Sequence, residues 1–254
     1  MKTRIEQVFK QDKDLLNIFI TAGYPQINSL PNIAKELINQ GVDVLEIGMP
    51  YSDPLADGEV IQEASSIALN NGITINKIFG QVVEIRRMSD SIPLILMGYF
   101  NQLLQVGVEE FLKKSKKSGV DGLIIPDLPV EVYLSGYKEL FEQYGIKISF
   151  LITPQTSEER IKMLDKTCTS FLYIVSDNSL TGTSSDGFNK EQLAYFKRIK
   201  ALELSSPTMI GFGISSKNMV VEANKYADGA IIGSAYIEAI RTNEGVKFIE
   251  MLTS

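Results

Sequence analysis

At 254 residues and a formal net charge of −6, the chain has the size of one α/β barrel and lacks the basic surface that nonspecific nucleic-acid binding needs. It contains no histidine and a single cysteine, Cys168, which excludes histidine-based triads, a Cys-rich zinc site and an intramolecular disulfide. Met1 to Glu6 contain no apolar signal core, and no apolar run approaches the roughly 20 residues of a membrane span, so a cytoplasmic protein with no membrane contact is expected.

An amphipathic start at 5–9 precedes the first apolar run, 15–21, whose β-branched and aromatic residues predict a buried strand. A helical pattern at 30–40 stops at Gly41, where a left-handed cap is expected. The second run, 42–47, has a carboxylate inside it, Glu46. A carboxylate is costly to ionise in a buried strand, so it usually has a task. Side chains alternate along a strand, so Val44, Glu46 and Gly48 share one face. If that face points inward, desolvation raises the Glu46 pKa and lets the group both hold and accept a proton near neutral pH. The loop that follows is dense in Pro, Asp and Gly and carries a second acid, Asp57, eleven positions after the first. Taken alone, Asp57-Gly58 and Asp53-Pro54 are equally ordinary turn signals.

Helical patterns at 60–71 and 75–89 lead to the third run, 94–97, and then to Tyr99. A pattern at 108–118 carries Lys113-Lys114-Ser115-Lys116-Lys117, a solvated helix face rather than an anion site. Gly119 precedes the run 122–125, and a helix at 130–144 ends at Gly145 before the run 147–152. Ser157 ahead of Glu158 and Glu159 caps a helix at 157–164, and the sixth run spans 170–176. The polar segment 176–187 is either a lid or a plain surface loop. A helix at 190–202 leads to the run 208–211 and to Gly211-Phe212-Gly213-Ile214-Ser215-Ser216, which opens a helix at 216–226. The eighth run, 229–232, passes through Gly233-Ser234-Ala235 into a helix at 233–240, and a helix at 244–253 closes the chain.

Eight strand-helix units predict a single (β/α)8 TIM barrel over 1–254 with an extra N-terminal helix. The alternative, a doubly wound sheet, needs a topological switch point that the sequence does not display. Barrels place their chemistry at the carboxyl ends of the strands and often seat phosphate after the seventh and eighth. The glycines there let backbone N–H groups approach an anion beside a helix N-terminus, although two helix-starting turns would look the same. No predicted strand ends in lysine, which disfavours a Schiff base.

In order and spacing, the segment 45–58 (LEIGMPYSDPLADG), Phe19-Ile20-Thr21-Ala22-Gly23, Asp127-Leu128-Pro129, Gly211 to Ser216 and Gly233-Ser234-Ala235 resemble the motifs of one family, the α subunit of tryptophan synthase. The resemblance spans essentially the whole chain. It implies a carbon-carbon lyase that cleaves indole-3-glycerol phosphate to indole and glyceraldehyde 3-phosphate by retro-aldol chemistry, in tryptophan biosynthesis. It implies Glu46 and Asp57 as the catalytic acids and a substrate pocket of Phe19, Ile61, Met97, Tyr99, Tyr173 and Phe212. Thr181 and Gly182 match the family's lid, and Gly213, Gly233 and Ser234 its phosphate cradle, with Gly211 also expected at the substrate. No metal or cofactor is implied in this chain. The implied partner is a β subunit carrying pyridoxal phosphate, in an α2β2 assembly met through Asp53, Pro54, Asn101 and Gln102. The chain departs from the family's usual residues at Asp177 and Ser179-Leu180 near the lid, at Glu59 and at Gln102. A retro-aldol step needs an electron sink, and an indole ring protonated at C3 supplies one without lysine or metal. Three other readings remain open at this level: a stand-alone lyase releasing indole, a non-catalytic activator of a β subunit, and a different phosphate-binding barrel.

Overall fold

The computed structural model describes residues 2–11, 13–54, 57–176 and 187–253. Eight parallel strands, β1 (Leu15–Thr21), β2 (Val44–Gly48), β3 (Leu94–Met97), β4 (Gly122–Ile124), β5 (Lys147–Ile152), β6 (Leu172–Val175), β7 (Thr208–Gly211) and β8 (Gly229–Ile232), form a closed barrel in sequence order. Closure is made by β1 pairing with β8, with Leu15 opposite Gly229 and Ile18 opposite Ile232, which excludes the open doubly wound sheet. The helices between the strands are α2 (Leu30–Asn39), α3 (Glu59–Asn70), α4 (Ile75–Met88), α5 (Phe100–Val106), α6 (Val108–Ser118), α7 (Val130–Gly136), α8 (Lys138–Tyr144), α9 (Glu158–Thr167), α10 (Lys190–Lys200) and α11 (Lys217–Asn224). Helices α12 (Ser234–Arg241) and α13 (Gly245–Thr253) complete the layer, and a short α1 (Arg4–Val8) precedes the first strand. No helix among the described residues is long and apolar enough to cross a membrane.

Three helix ends are set by glycine, as the sequence predicts: Gly41, Gly119 and Gly145 take φ of +80°, +91° and +66°. Two helices differ from expectation. Helix α5 was not anticipated, because its apolar pattern is one short turn and no Ser, Thr, Asp or Asn sits ahead of it. Gln102 accepts the Tyr99 N–H at 2.9 Å, and the distant Asp127 accepts the Phe100 N–H at 2.8 Å. The single helix predicted at 130–144 is two, α7 and α8, broken at Tyr137 (φ −131°, ψ −16°) after the weak helix formers Ser135 and Gly136. The break turns Tyr137 edge-on to Phe100, with ring centroids 5.3 Å apart.

Helix α1 closes the amino-terminal end of the barrel. A capping box between Thr3 and Glu6 starts it. Its Ile5 and Val8 are buried, and Phe9 packs on Phe171 at 5.7 Å. A Cβ on Gly122, the first residue of β4, would lie 3.2 Å from Ile5 Cδ1. Asp121 ties this end together: it pairs with Arg4 at 2.9 Å and Arg86 at 2.8 Å, and accepts the Leu94 N–H. With the floor sealed, the open end lies at the carboxyl termini of the strands, where the loops are longest.

Candidate active site

Strand alternation carries Asn17 and Phe19 of β1, and Glu46 and Gly48 of β2, into the barrel interior. The Phe19 ring lies across Gly48, where a Cβ would stand 2.3 Å from Phe19 Cζ, so glycine is required for the ring to form the wall it does. Above it opens a cavity of about 340 Å³ lined by Phe19, Glu46, Asp57, Ile61, Met97, Tyr173, Phe212, Gly213, Gly233 and Ser234, all named from the sequence. Residues of four strands and of the loops after β2, β7 and β8 therefore converge on one space.

Glu46 is 1% exposed. Burial pushes its carboxyl up to about 8; a hydrogen bond from Asn17 opposes the shift and the nearby Asp57 adds to it. Asp57, half-buried, is also raised by burial, against the hydrogen bond that Tyr99 Oη donates to its Oδ2 at 2.9 Å. Tyr173 is raised by burial and by both carboxylates. Its hydroxyl reaches over Gly211, where a Cβ would be 2.3 Å away. Gly211 thus makes room for Tyr173 rather than lining the cavity, and Tyr99 acts through Asp57.

The opposite wall is built from backbone. Gly213 takes φ +73° and Phe212 φ +67°, a left-handed conformation that is uncommon outside glycine. The turn is held by Ser176, whose hydroxyl donates to the Phe212 carbonyl. The Phe212 ring meets Tyr173 edge-on at 5.7 Å. Across from this turn, Gly233 and Ser234 begin α12, whose first N–H groups have no intrahelical acceptor and whose dipole favours an anion. Among the described residues the cavity lining includes no Lys or Arg. Among these residues, an anion here meets backbone N–H groups and the neutral hydroxyls of Ser215 and Ser234.

Thr181 and Gly182, with Asp177 and Ser179-Leu180, lie outside the described residues. At the rim, Asp53 and Asn101 are exposed and Pro54 is half-buried. Asn101 donates to Tyr51 Oη at 2.9 Å, and the Tyr51 ring stacks on Tyr99 at 5.1 Å. Gln102 is corrected from its expected place at the partner surface. Its side chain is buried because the first turn of α5 faces the β2 loop; its amide donates to Pro50 O at 2.9 Å while its oxygen caps Tyr99. Lys113 and Lys114 lie on the solvated side of α6 beside Glu110. Burial pushes the Cys168 thiol up to about 11, away from reactivity. Among the described residues no three His, Cys, Asp or Glu side chains cluster as metal ligands.

Sequence reading missed Gln192 and Met219, which line the cavity from α10 and α11, and Asn17, which underlies Glu46. The first two carry no local signal. Asn17 does: it is a lone amide in the apolar run 15–21.

Comparison with known proteins shows the family and the fold. The model of the family described as tryptophan synthase alpha chain matches residues 5–251. The tryptophan synthase alpha chain of Christiangramia forsetii is 52% identical over 94% of this chain and 93% of its own length. That of Flavobacterium psychrophilum is 51% identical over 99% and 98%. Among solved structures, tryptophan synthase subunit alpha from Legionella pneumophila superposes with a TM-score of 0.88 at 32% identity, covering 100% of this chain and 97% of that one. A mutant alpha-subunit from Pyrococcus furiosus gives 0.85 at 36% identity, over 94% and 97%.

Proposed function

The chain belongs to the tryptophan synthase alpha chain family, carbon-carbon lyases that cleave indole-3-glycerol phosphate in tryptophan biosynthesis, and we propose that Glu46 and Asp57 carry this cleavage, as an acid pair at the mouth of a single barrel. The observation that supports the assignment is one cavity joining a buried, protonatable Glu46 to a glycine-lined anion seat.

The substrate's phosphate sits on the backbone of Gly213, Gly233 and Ser234, and its indole ring lies between Phe19, Ile61, Met97 and Phe212. Glu46, raised to about 8, carries its proton at neutral pH and delivers it to indole C3. The ring becomes iminium-like, and Asp57, whose carboxylate form is favoured by the hydrogen bond from the Tyr99 hydroxyl, stabilises the positive charge at the ring N–H. The Glu46 carboxylate then takes the proton of the adjacent glycerol hydroxyl. As that oxygen closes to a carbonyl, the carbon-carbon bond breaks and its electron pair returns to the ring. Indole and glyceraldehyde 3-phosphate leave, and Glu46 is protonated again. The apolar walls keep water from competing for these protons.

The family implies a β-subunit partner. We assign the contact to Asp53, Pro54 and the exposed side of α5, in an α2β2 assembly whose β subunits carry pyridoxal phosphate and consume the indole, in the cytoplasm. Glu46→Gln tests the acid assignment. The expected result is a loss of indole formation of about 100-fold or more, with glycerol 3-phosphate affinity within about threefold of the unmodified protein because no phosphate contact changes. Near-normal turnover would remove Glu46 from the mechanism.

A further inference from the structure

Below Glu46, one layer deeper in the barrel, lies Asn17. It is fully buried, and its neighbours in register are the apolar Val44 on β2 and Ile231 on β8. Its Nδ2 donates to Glu46 Oε2 at 3.0 Å, while its Oδ1 has no hydrogen-bond partner among the described residues. A buried acceptor left unpaired is costly, and an apolar residue in this layer would remove the cost. A carboxamide is, however, both donor and acceptor at one site, which a hydrocarbon, an ammonium or a carboxylate is not. Asn17 does not line the cavity, so it cannot touch substrate.

We propose that Asn17 is a positioning residue for the cleavage: its amide holds the Glu46 carboxyl in both protonation states, through Nδ2–H when Glu46 is ionised and, after a half-turn of the amide, through Oδ1 when Glu46 carries its proton. The unpaired Oδ1 is the acceptor that the protonated form uses. The inference rests on the reading of Glu46 as proton carrier and adds what keeps that carrier aimed while its charge changes. The other titratable groups facing Glu46 are Asp57, on the loop after β2, and Tyr173, on β6; β1 and β3 present Phe19 and Met97.

Asn17→Leu, close in volume, removes both hydrogen bonds. The bond to the ionised carboxylate is charge-assisted and stronger than the one to the neutral acid, so losing both raises the Glu46 pKa. The first step uses protonated Glu46, so the alkaline limb of kcat/KM moves up by about one unit. The accompanying kcat falls about tenfold as the carboxyl loses its orientation, with KM within about threefold. An unmoved alkaline limb overturns the proposal whatever happens to kcat, since a purely packing role would not alter the titration. A second measurement needs no Asn17 variant. In the isotope-labelled parent protein, the Asn17 side-chain amide resonances should move through the Glu46 titration near pH 8 and stay fixed in Glu46→Gln. Resonances that stay fixed in the parent protein overturn the proposal, whether or not Asn17→Leu folds. The amide titration also separates the two ideas: a parent protein that releases no indole defeats the lyase assignment, while the resonances still report whether Asn17 holds Glu46.

Discussion

Glu46 costs the fold stability in a way that tracks pH. Its folded pKa, about 8, lies above the ordinary carboxylate value of 4.5, so the folded state binds the proton more tightly than the unfolded chain. The stability linked to the protonated carboxyl is therefore present in full below about 4.5 and is lost as pH rises through about 8. Glu46→Gln keeps the shape and cannot ionise. Its urea midpoint is expected to match the parent protein near pH 4.5 and to exceed it at pH 8.5, by a free energy on the order of 3–5 kcal/mol. Equal midpoints at both pH values would show that Glu46 is not desolvated. At this scale the sequence was informative: an acid inside an apolar run marked Glu46. Asn17 was legible only as a polar interruption of 15–21, because its meaning depends on a residue 29 positions away.

At the scale of elements, the two ends of the barrel do different work. The carboxyl end holds the cavity, and α1 seals the opposite end by inserting Ile5, which is 2% exposed, against Gly122. Ile5→Ala leaves a void at the floor and is expected to cost about 2–5 kcal/mol in chemical denaturation, with kcat for indole formation within about twofold of the parent protein. A large fall in kcat at full folding would mean that the floor and the mouth are coupled. The strands were readable from their apolar runs and the helix ends from Gly41, Gly119 and Gly145. Helix α5 was not, since its N-terminus is satisfied by Gln102 from its own first turn and by Asp127 from 27 residues on, neither of which stands where a cap is read in sequence. Nor was the break at Tyr137: Ser135 and Gly136 are weak helix formers, but the contact with Phe100 that the break permits joins segments far apart in the chain.

At the scale of the molecule, the rim connects to the site. Asn101 bonds Tyr51, Tyr51 stacks on Tyr99, and the Tyr99 hydroxyl holds Asp57. A β subunit pressing on α5 would thus bear on Asp57, one of the two acids we propose. Leu104, on the same helix, is 50% exposed and is a candidate anchor for that contact. Leu104→Glu is expected to weaken β binding about tenfold or more by calorimetric titration, while indole formation by the isolated chain stays within about twofold. Unchanged affinity would place the contact elsewhere.

By itself, the sequence determined what short-range physics can write: strand and helix periods, glycine caps, an acid in an apolar run, and glycine turns after the seventh and eighth strands. The tertiary structure alone decided that Leu15 meets Gly229 to close the sheet, that Asn17 lies under Glu46, that Gly211 clears space for Tyr173, and that Gln102 turns inward. These pairings join residues far apart in the chain, or fix which way a surface-type residue faces. They are selected by register and close packing summed over the whole barrel, and no local window of residues contains that sum.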